Sequence, residues 1–200
     1  MFDPMRWIRP AGAMLAVAVV VDAWAADPSF DCSRASGQVE GMICEDAALA
    51  ALDRELDAVY KRALQRVEED GYEDPRPMQR GWVKERNECW KAADVRDCVE
   101  TSYRHRIAEL QIQTGDMVVP EPVDFDCGEM DLTVVFYNQT EPATAVLTPV
   151  GLDGADQVIA FQAMSGSGAR YLGRNVEFWE HHGEANLTWF DNQMTCTVRD

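Results

Sequence analysis

The chain has 200 residues, of which 46% are hydrophobic, and its 18 lysines and arginines against 35 aspartates and glutamates give a formal net charge of −17. The hydrophobic fraction is that of a globular protein and argues against wholesale disorder. The acidity argues against nucleic acid and anionic lipid as partners, because both require clustered positive charge. It favours a cationic partner instead.

The N-terminal segment, residues 1–25, has the pattern of a secretory signal peptide. Two arginines precede an apolar run of 11 residues at 11–21, which is shorter than the roughly 20 residues of a membrane span. Ala23-Trp24-Ala25 supplies small side chains at the positions that a signal peptidase reads, so we expect cleavage near Ala25-Ala26. The first cysteine, Cys32, does not follow a small-residue tripeptide, so we expect no lipoprotein signal. These features predict a periplasmic or secreted protein.

Residues 26–115 show the periodicity of helices. Apolar side chains recur every three or four residues, and Asp46 and Asp94 are suited to be N-caps. The predicted helices span residues 46–70, 78–91 and about 94–110. Because the loops between them are short, neighbouring helices should be antiparallel and form a small bundle.

Six cysteines in an exported chain indicate three disulfide bonds. In the helical half, a bridge between Cys89 and Cys98 would cross one helix–helix turn and leave Cys32 with Cys44. Alternatively, Cys32 and Cys44 each tie the N-terminal segment to the helical hairpin. The spacing leaves both pairings open.

The period of the pattern changes to two after a proline-containing linker at residues 116–124. From residue 125 to 200, short β-rich runs alternate with Gly, Asn, Asp or Pro, which predicts an antiparallel sandwich or small barrel. Cys127 and Cys196 bracket this half and would close the sheet on itself. This half also carries most of the negative charge, because residues 118–200 hold 13 acidic and 3 basic side chains, net −10. The predicted fold class is therefore α+β with two domains, a disulfide-linked helical bundle followed by an antiparallel β-barrel.

No catalytic or metal site is expected. Ser167 and His181 invite a serine-hydrolase reading, but the G-x-S-x-G turn of such enzymes requires glycine where Ser165 stands. His181 and His182 are adjacent on a strand end, where neighbouring side chains point to opposite faces, so they should not share a metal ion. We expect neither an enzyme nor a bound cofactor.

The C-terminal half resembles the family of membrane-bound lysozyme inhibitors of C-type lysozyme. The resemblance covers residues 125–197 and rests on the run Ser165 to Tyr171 (SGSGARY), Phe178-Trp179-Glu180, Gly183-Glu184-Ala185 and the two flanking cysteines. The helical half resembles a second family, the LprI-type lysozyme-inhibitor N-terminal domain. The matching segments include Phe30-Asp31-Cys32, Ile43-Cys44, the run at 52–56, Trp82 with Arg86 and Cys89, and Cys98 with Tyr103, Arg106 and Leu110.

The first resemblance implies an eight-stranded barrel and a protein that binds C-type lysozyme. In that family one loop enters the lysozyme cleft, where a serine and a lysine contact the two catalytic carboxylates. The serine corresponds to Ser167 here. The residues that the resemblance assigns to lysozyme binding are Ser165, Gly166, Ser167, Gly168, Ala169, Arg170, Tyr171 and His181. It also allows a homodimer, because some members of the barrel family dimerise.

One departure from the family pattern concerns the lysine, whose place is taken by His181, followed by His182 where glycine is expected. A lysine is cationic at any physiological pH, whereas a histidine of ordinary pKa near 6.5 is cationic only when protonated. The departure supports an alternative function, a periplasmic cell-envelope binding or adaptor protein that keeps these folds without inhibitory activity.

Overall fold

A computed structural model describes residues 27–115, 117–151 and 156–199. The predicted signal peptide and its cleavage site lie outside these residues. Four α-helices come first, α1 (Gly37–Glu45), α2 (Ala47–Asp70), α3 (Arg76–Asn87) and α4 (Val95–Gln113), with 3-10 turns at Cys32–Arg34 and Glu88–Lys91. Eight strands follow, β1 (Val123–Asp126), β2 (Asp131–Tyr137), β3 (Thr144–Val150), β4 (Val158–Ala163), β5 (Ala169–Gly173), β6 (Val176–His181), β7 (Glu184–Trp189) and β8 (Asn192–Val198). The predicted fold class is confirmed.

Helix ends follow the local chemistry that the sequence indicates. The Asp46 carboxylate accepts hydrogen bonds from the backbone N–H groups of Ala48 and Leu49, and Asp94 caps α4 in the same way. Helix α2 ends at Gly71, whose φ of 73° is the left-handed conformation that glycine favours. The second predicted helix is shorter than expected, because its last four residues form a 3-10 turn. The short α1 was not predicted, since it spans only 9 residues.

The helical core is closed by a buried polar network. Arg86 donates a hydrogen bond of 2.6 Å to the Tyr103 hydroxyl, which donates one of 2.7 Å to Asp53. The second oxygen of Asp53 accepts from the backbone and the hydroxyl of Ser29. Burial raises the pKa of the Tyr103 hydroxyl, so it stays protonated as the donor. The apolar core around this network comprises Val39, Ile43, Leu49, Leu56, Val59, Val99, Ile107 and Leu110.

The eight strands form one closed antiparallel barrel in sequence order, with β1 paired to β8. Strand β1 begins at Val123, inside the segment expected to be a linker, because pairing with both β2 and β8 satisfies its backbone groups. Alternate side chains point inward and form the barrel core, which includes Phe125, Leu132, Val134, Leu147, Phe178 and Leu187.

All six cysteines are paired. The bonds are Cys32–Cys44, Cys89–Cys98 and Cys127–Cys196. The first two resolve the open pairing of the helical half, and the third confirms the predicted closure of the barrel. Because Cys127–Cys196 spans 69 residues, its loop-closure entropy stabilises the barrel by about 4 kcal/mol in the chain-entropy estimate.

The two halves contact each other through α4. The ring of His105 stacks on Phe161 of β4, with centroids 3.7 Å apart and planes 3° from parallel. Next to it, Arg104 forms a 2.9 Å ion pair with Glu141 of the β2–β3 loop. Burial lowers the pKa of His105 to about 4, so the imidazole in this contact is neutral at physiological pH. Among the described residues, no helix has the length and apolar character of a membrane span.

Candidate functional site

One end of the barrel gathers the segments that the sequence singled out. In an antiparallel barrel the connections β2–β3, β4–β5 and β6–β7 all lie at the same end. The β4–β5 connection is the loop at residues 164–168, which we call the Ser167 loop, and the β6–β7 turn follows His181. All five residues of the Ser167 loop are exposed, and Met164 at its start is 95% exposed.

The Ser167 loop is held by two hydrogen bonds. The Ser165 hydroxyl donates to the Gly168 carbonyl at 2.8 Å, which closes the loop on itself. The indole N–H of Trp179, on β6, donates to the Ser167 carbonyl at 2.8 Å. Trp179 is 37% exposed and stands on the outer face of the barrel. The loop is thus held by one hydrogen bond within itself and by one from the neighbouring strand β6. The Ser167 hydroxyl takes part in neither bond.

Gly168 allows the loop to lie directly against β6. Its φ is +67°, and a Cβ at this position would lie 2.3 Å from the Glu180 carbonyl oxygen and 3.1 Å from the Cβ of His181. No side chain fits there. Because the backbone approaches so closely, Gly168 lies directly against His181, although 12 residues separate them in the chain, and Ser167 is the next residue of the loop.

The β6–β7 connection is a two-residue turn with positive φ at both positions, 55° at His182 and 84° at Gly183, as in a type I′ hairpin. The Gly183 N–H donates to the Glu180 carboxylate at 2.9 Å. The turn conformation also brings the ring centroids of His181 and His182 to within 4.0 Å of each other. The prediction that these side chains diverge is therefore wrong, because His182 is a turn residue and not part of the strand. Among the described residues, no group of three or more ligand-type side chains is arranged to hold a metal ion.

Ser167 and His181 share a shallow cavity of about 260 Å³ on the outer face of β6, β7 and β8. Its lining residues are Ser167, Trp179, His181, Glu184, Ala185, Asn186 and Thr195. Sequence reasoning missed Glu184, Asn186 and Thr195. Their period-two alternation places them on the outer face, but only strand register sets them beside the loop.

The remaining predicted site residues lie at different depths. Arg170 forms a 2.8 Å ion pair with Glu177, which raises the pKa of the guanidinium and holds it along the barrel wall. Tyr171 is 3% exposed and packs 5.6 Å from the ring of Phe136 in the barrel core. Ala169 is half-buried. The exposed candidate surface therefore consists of Ser165 to Gly168 together with His181.

Two family profiles match the chain in the predicted order. The profile "Lysozyme inhibitor LprI" matches residues 31–110, and "Membrane-bound lysozyme-inhibitor of c-type lysozyme" matches residues 125–195. The chain thus combines two modules that are both described as lysozyme inhibitors, which confirms the resemblances drawn from the sequence.

The chain matches relatives over almost its whole length. The protein is 35% identical over 205 residues to "Lipoprotein LprI" of Mycobacterium bovis and to the proteins of that name from two strains of Mycobacterium tuberculosis. The matched region covers 96% of this chain and 98% of each relative. The chain belongs to the LprI family of lysozyme inhibitors. Membership of this family points to a non-catalytic protein.

Proposed function

We propose that the protein inhibits C-type lysozyme by inserting the Ser167 loop into the active-site cleft of that enzyme. One observation carries the proposal: Ser167 and His181 are both exposed and line one cavity at this end of the barrel. The family supports lysozyme inhibition in general. The choice of the C-type enzyme rests on the resemblance of the barrel half to inhibitors of that lysozyme, and the choice of this loop rests on the resemblance together with the geometry described above.

The proposed contact follows from the chemistry of the target. C-type lysozyme uses two carboxyl groups, one protonated as the general acid and one ionised. A serine hydroxyl can both donate and accept a hydrogen bond, and a protonated imidazole donates to a carboxylate. Ser167 and His181 therefore offer one group for each carboxyl. Because the loop backbone is already ordered by Trp179 and Gly168, little conformational entropy is lost on binding.

Charge supports the same partner at longer range. The barrel half carries a net −10, and its exposed surface would accelerate encounter with a strongly cationic enzyme. The acidic side chains of the barrel cannot themselves bind in a cleft lined by carboxylates, because like charges repel each other. We therefore assign the long-range attraction to the barrel as a whole and the specific contact to the Ser167 loop.

Inhibition of cell-wall lysis by a hen-type lysozyme tests the proposal. Ser167→Ala should raise the inhibitor concentration needed for half inhibition about tenfold or more, the effect of losing a central hydrogen bond to a charged group. Thr148→Ala, which removes an exposed hydroxyl on β3, is the matched control and should have no effect. No inhibition by the unaltered protein at low or moderate salt would contradict the proposal and favour the adaptor function.

We also propose a periplasmic or secreted location without lipid attachment at a cysteine. The relatives are named lipoproteins. Here Cys32, the first cysteine in the sequence, is bonded to Cys44, so its thiol is not free to carry a lipid. The homodimer that the barrel family allows stays a prediction, which sedimentation of the mature protein would check.

A further inference from the structure

The contacts between α4 and β4 fix the direction in which the helical half lies along the barrel. His105 meets Phe161. Toward the other end, Leu110, Gln113 and Thr114 line one cavity of about 540 Å³ together with Asp156 and Gln157, which precede β4. Helix α4 therefore runs antiparallel to β4. Its N-terminal half extends in the same direction as the C-terminal end of β4, toward the Ser167 loop.

The helix and the strand both extend beyond this contact, toward the same end of the barrel. Val95, at the start of α4, lies ten positions from His105, about 15 Å at the helical rise. Ala163, the last residue of β4, lies two positions beyond Phe161, about 7 Å at the rise of a strand, and the Ser167 loop begins at the next residue. The corner between α3 and α4, which Cys89–Cys98 closes, therefore extends past the end of β4, on the side of the Ser167 loop. The ion pair of Arg104 with Glu141 supports this direction of α4, because the β2–β3 loop lies at the same end of the barrel as the Ser167 loop.

This corner has the composition of a binding surface. Trp90 lies at its tip and is 55% exposed, with the Lys91 ammonium 5.3 Å from the centre of its ring. Tryptophan is the side chain most enriched among residues that dominate binding energy. The surrounding residues 85–100 hold five acidic and three basic side chains, net −2. A cationic partner at the Ser167 loop would thus find nearby a second surface of weakly negative net charge with an exposed aromatic side chain.

We infer that the α3–α4 corner and the Ser167 loop form one bipartite surface that binds a single lysozyme molecule, with Trp90 as the anchor of the helical side. This inference rests on the proposed function and adds a role for the helical half. A stable complex buries about 800 Å² from each partner. One five-residue loop and one hairpin turn cover only part of such an area, and the corner beside them supplies further contact. The two halves then bind the same enzyme molecule and not two different ones.

Calorimetric titration of the full chain with a hen-type lysozyme tests the inference. We expect one lysozyme per chain, and Trp90→Ala should weaken the affinity about tenfold or more. Phe190→Ala is the matched control, because Phe190 is also 55% exposed but lies in the β7–β8 turn, at the opposite end of the barrel. That variant should bind as the unaltered protein does. Thermal unfolding of both variants verifies that they are folded.

The outcomes separate this inference from the proposed function. Loss of affinity in Ser167→Ala with none in Trp90→Ala would overturn the inference and keep the proposed function. Two lysozymes per chain would also overturn the inference alone. Loss confined to Trp90→Ala would place binding on the helical half and contradict both, as would unchanged affinity in both variants.

Discussion

Replacing Gly168 with alanine tests whether the close approach of the Ser167 loop to β6 determines the conformation of the site. The added Cβ would lie 2.3 Å from the carbonyl oxygen of Glu180, a backbone atom that cannot rotate away. Alanine would also have to adopt the φ of +67° that glycine adopts here. Either the loop or the β5–β6 pairing at Ala169 and Glu180 must change.

The size of this effect follows from its parts. An alanine in the left-handed region costs about 1–2 kcal/mol. Moving the strand by about 1 Å to relieve the contact weakens at least one backbone hydrogen bond, a further loss of about 1 kcal/mol. The sum, about 2–3 kcal/mol, would lower the Tm of a domain of this size by about 10 °C or more, unless the loop leaves its position and takes Ser167 away from His181.

Gly166→Ala is the matched control, because that position has open space around its Cβ and no positive φ. We expect it to keep the Tm of the unaltered protein, so a lower Tm in Gly168→Ala alone would be due to the close approach at that position. Gly168→Ala should lose stability, inhibition or both, measured by thermal unfolding followed with circular dichroism and by the lysis assay. A Gly168→Ala protein with unchanged Tm and unchanged inhibition would refute the reasoning.

Two further predictions concern histidines. His181→Lys should strengthen inhibition above pH 7, because lysine stays cationic where an ordinary imidazole is neutral; equal inhibition by both proteins at pH 7–8 would show that His181 does not meet the carboxylates. Burial lowers the pKa of His105 to about 4, so below its unfolded value near 6.5 the unfolded chain takes up the proton first and the free energy of unfolding falls. After allowance for partial exposure, the loss between pH 6.5 and 4 is on the order of 2 kcal/mol. His105→Phe should abolish the share of this loss that falls between pH 6.5 and 5, a range in which carboxylates contribute little. Denaturant unfolding at several pH values measures it. A pH profile of the free energy of unfolding that is the same in both proteins would contradict the burial of the imidazole.

The order and type of the elements could be predicted from the sequence because they depend on local chemistry. Periodicity and the caps Asp46 and Asp94 predict three of the four helices, and alternation predicts the strands. The start of strand β1, residues 123–124, was assigned to the linker because it follows two prolines and lacks a strand pattern of its own. It becomes a strand by pairing with β2, which follows it directly, and with β8, which is distant in the chain.

The site could be predicted in part. A family resemblance pointed to Ser167 and His181. Their separation along the chain, however, does not show how close the two side chains lie in space. Nothing local distinguishes the buried Tyr171 from its exposed neighbours, because its direction depends on the register of β5. Glu184 and Thr195 join the cavity for the same reason, since adjacent strands carry them there.

By itself, the sequence determined the net charge of −17, the number of disulfide bonds expected for six cysteines and the division into a helical and a β-rich half. These properties depend on composition and on short-range pattern. Only the tertiary structure decided which cysteines of the helical half pair, that Gly168 seats the Ser167 loop against β6, and that α4 lies along β4. Each of these depends on barrel closure and on packing between residues far apart in the chain, for which a single sequence carries no local signal.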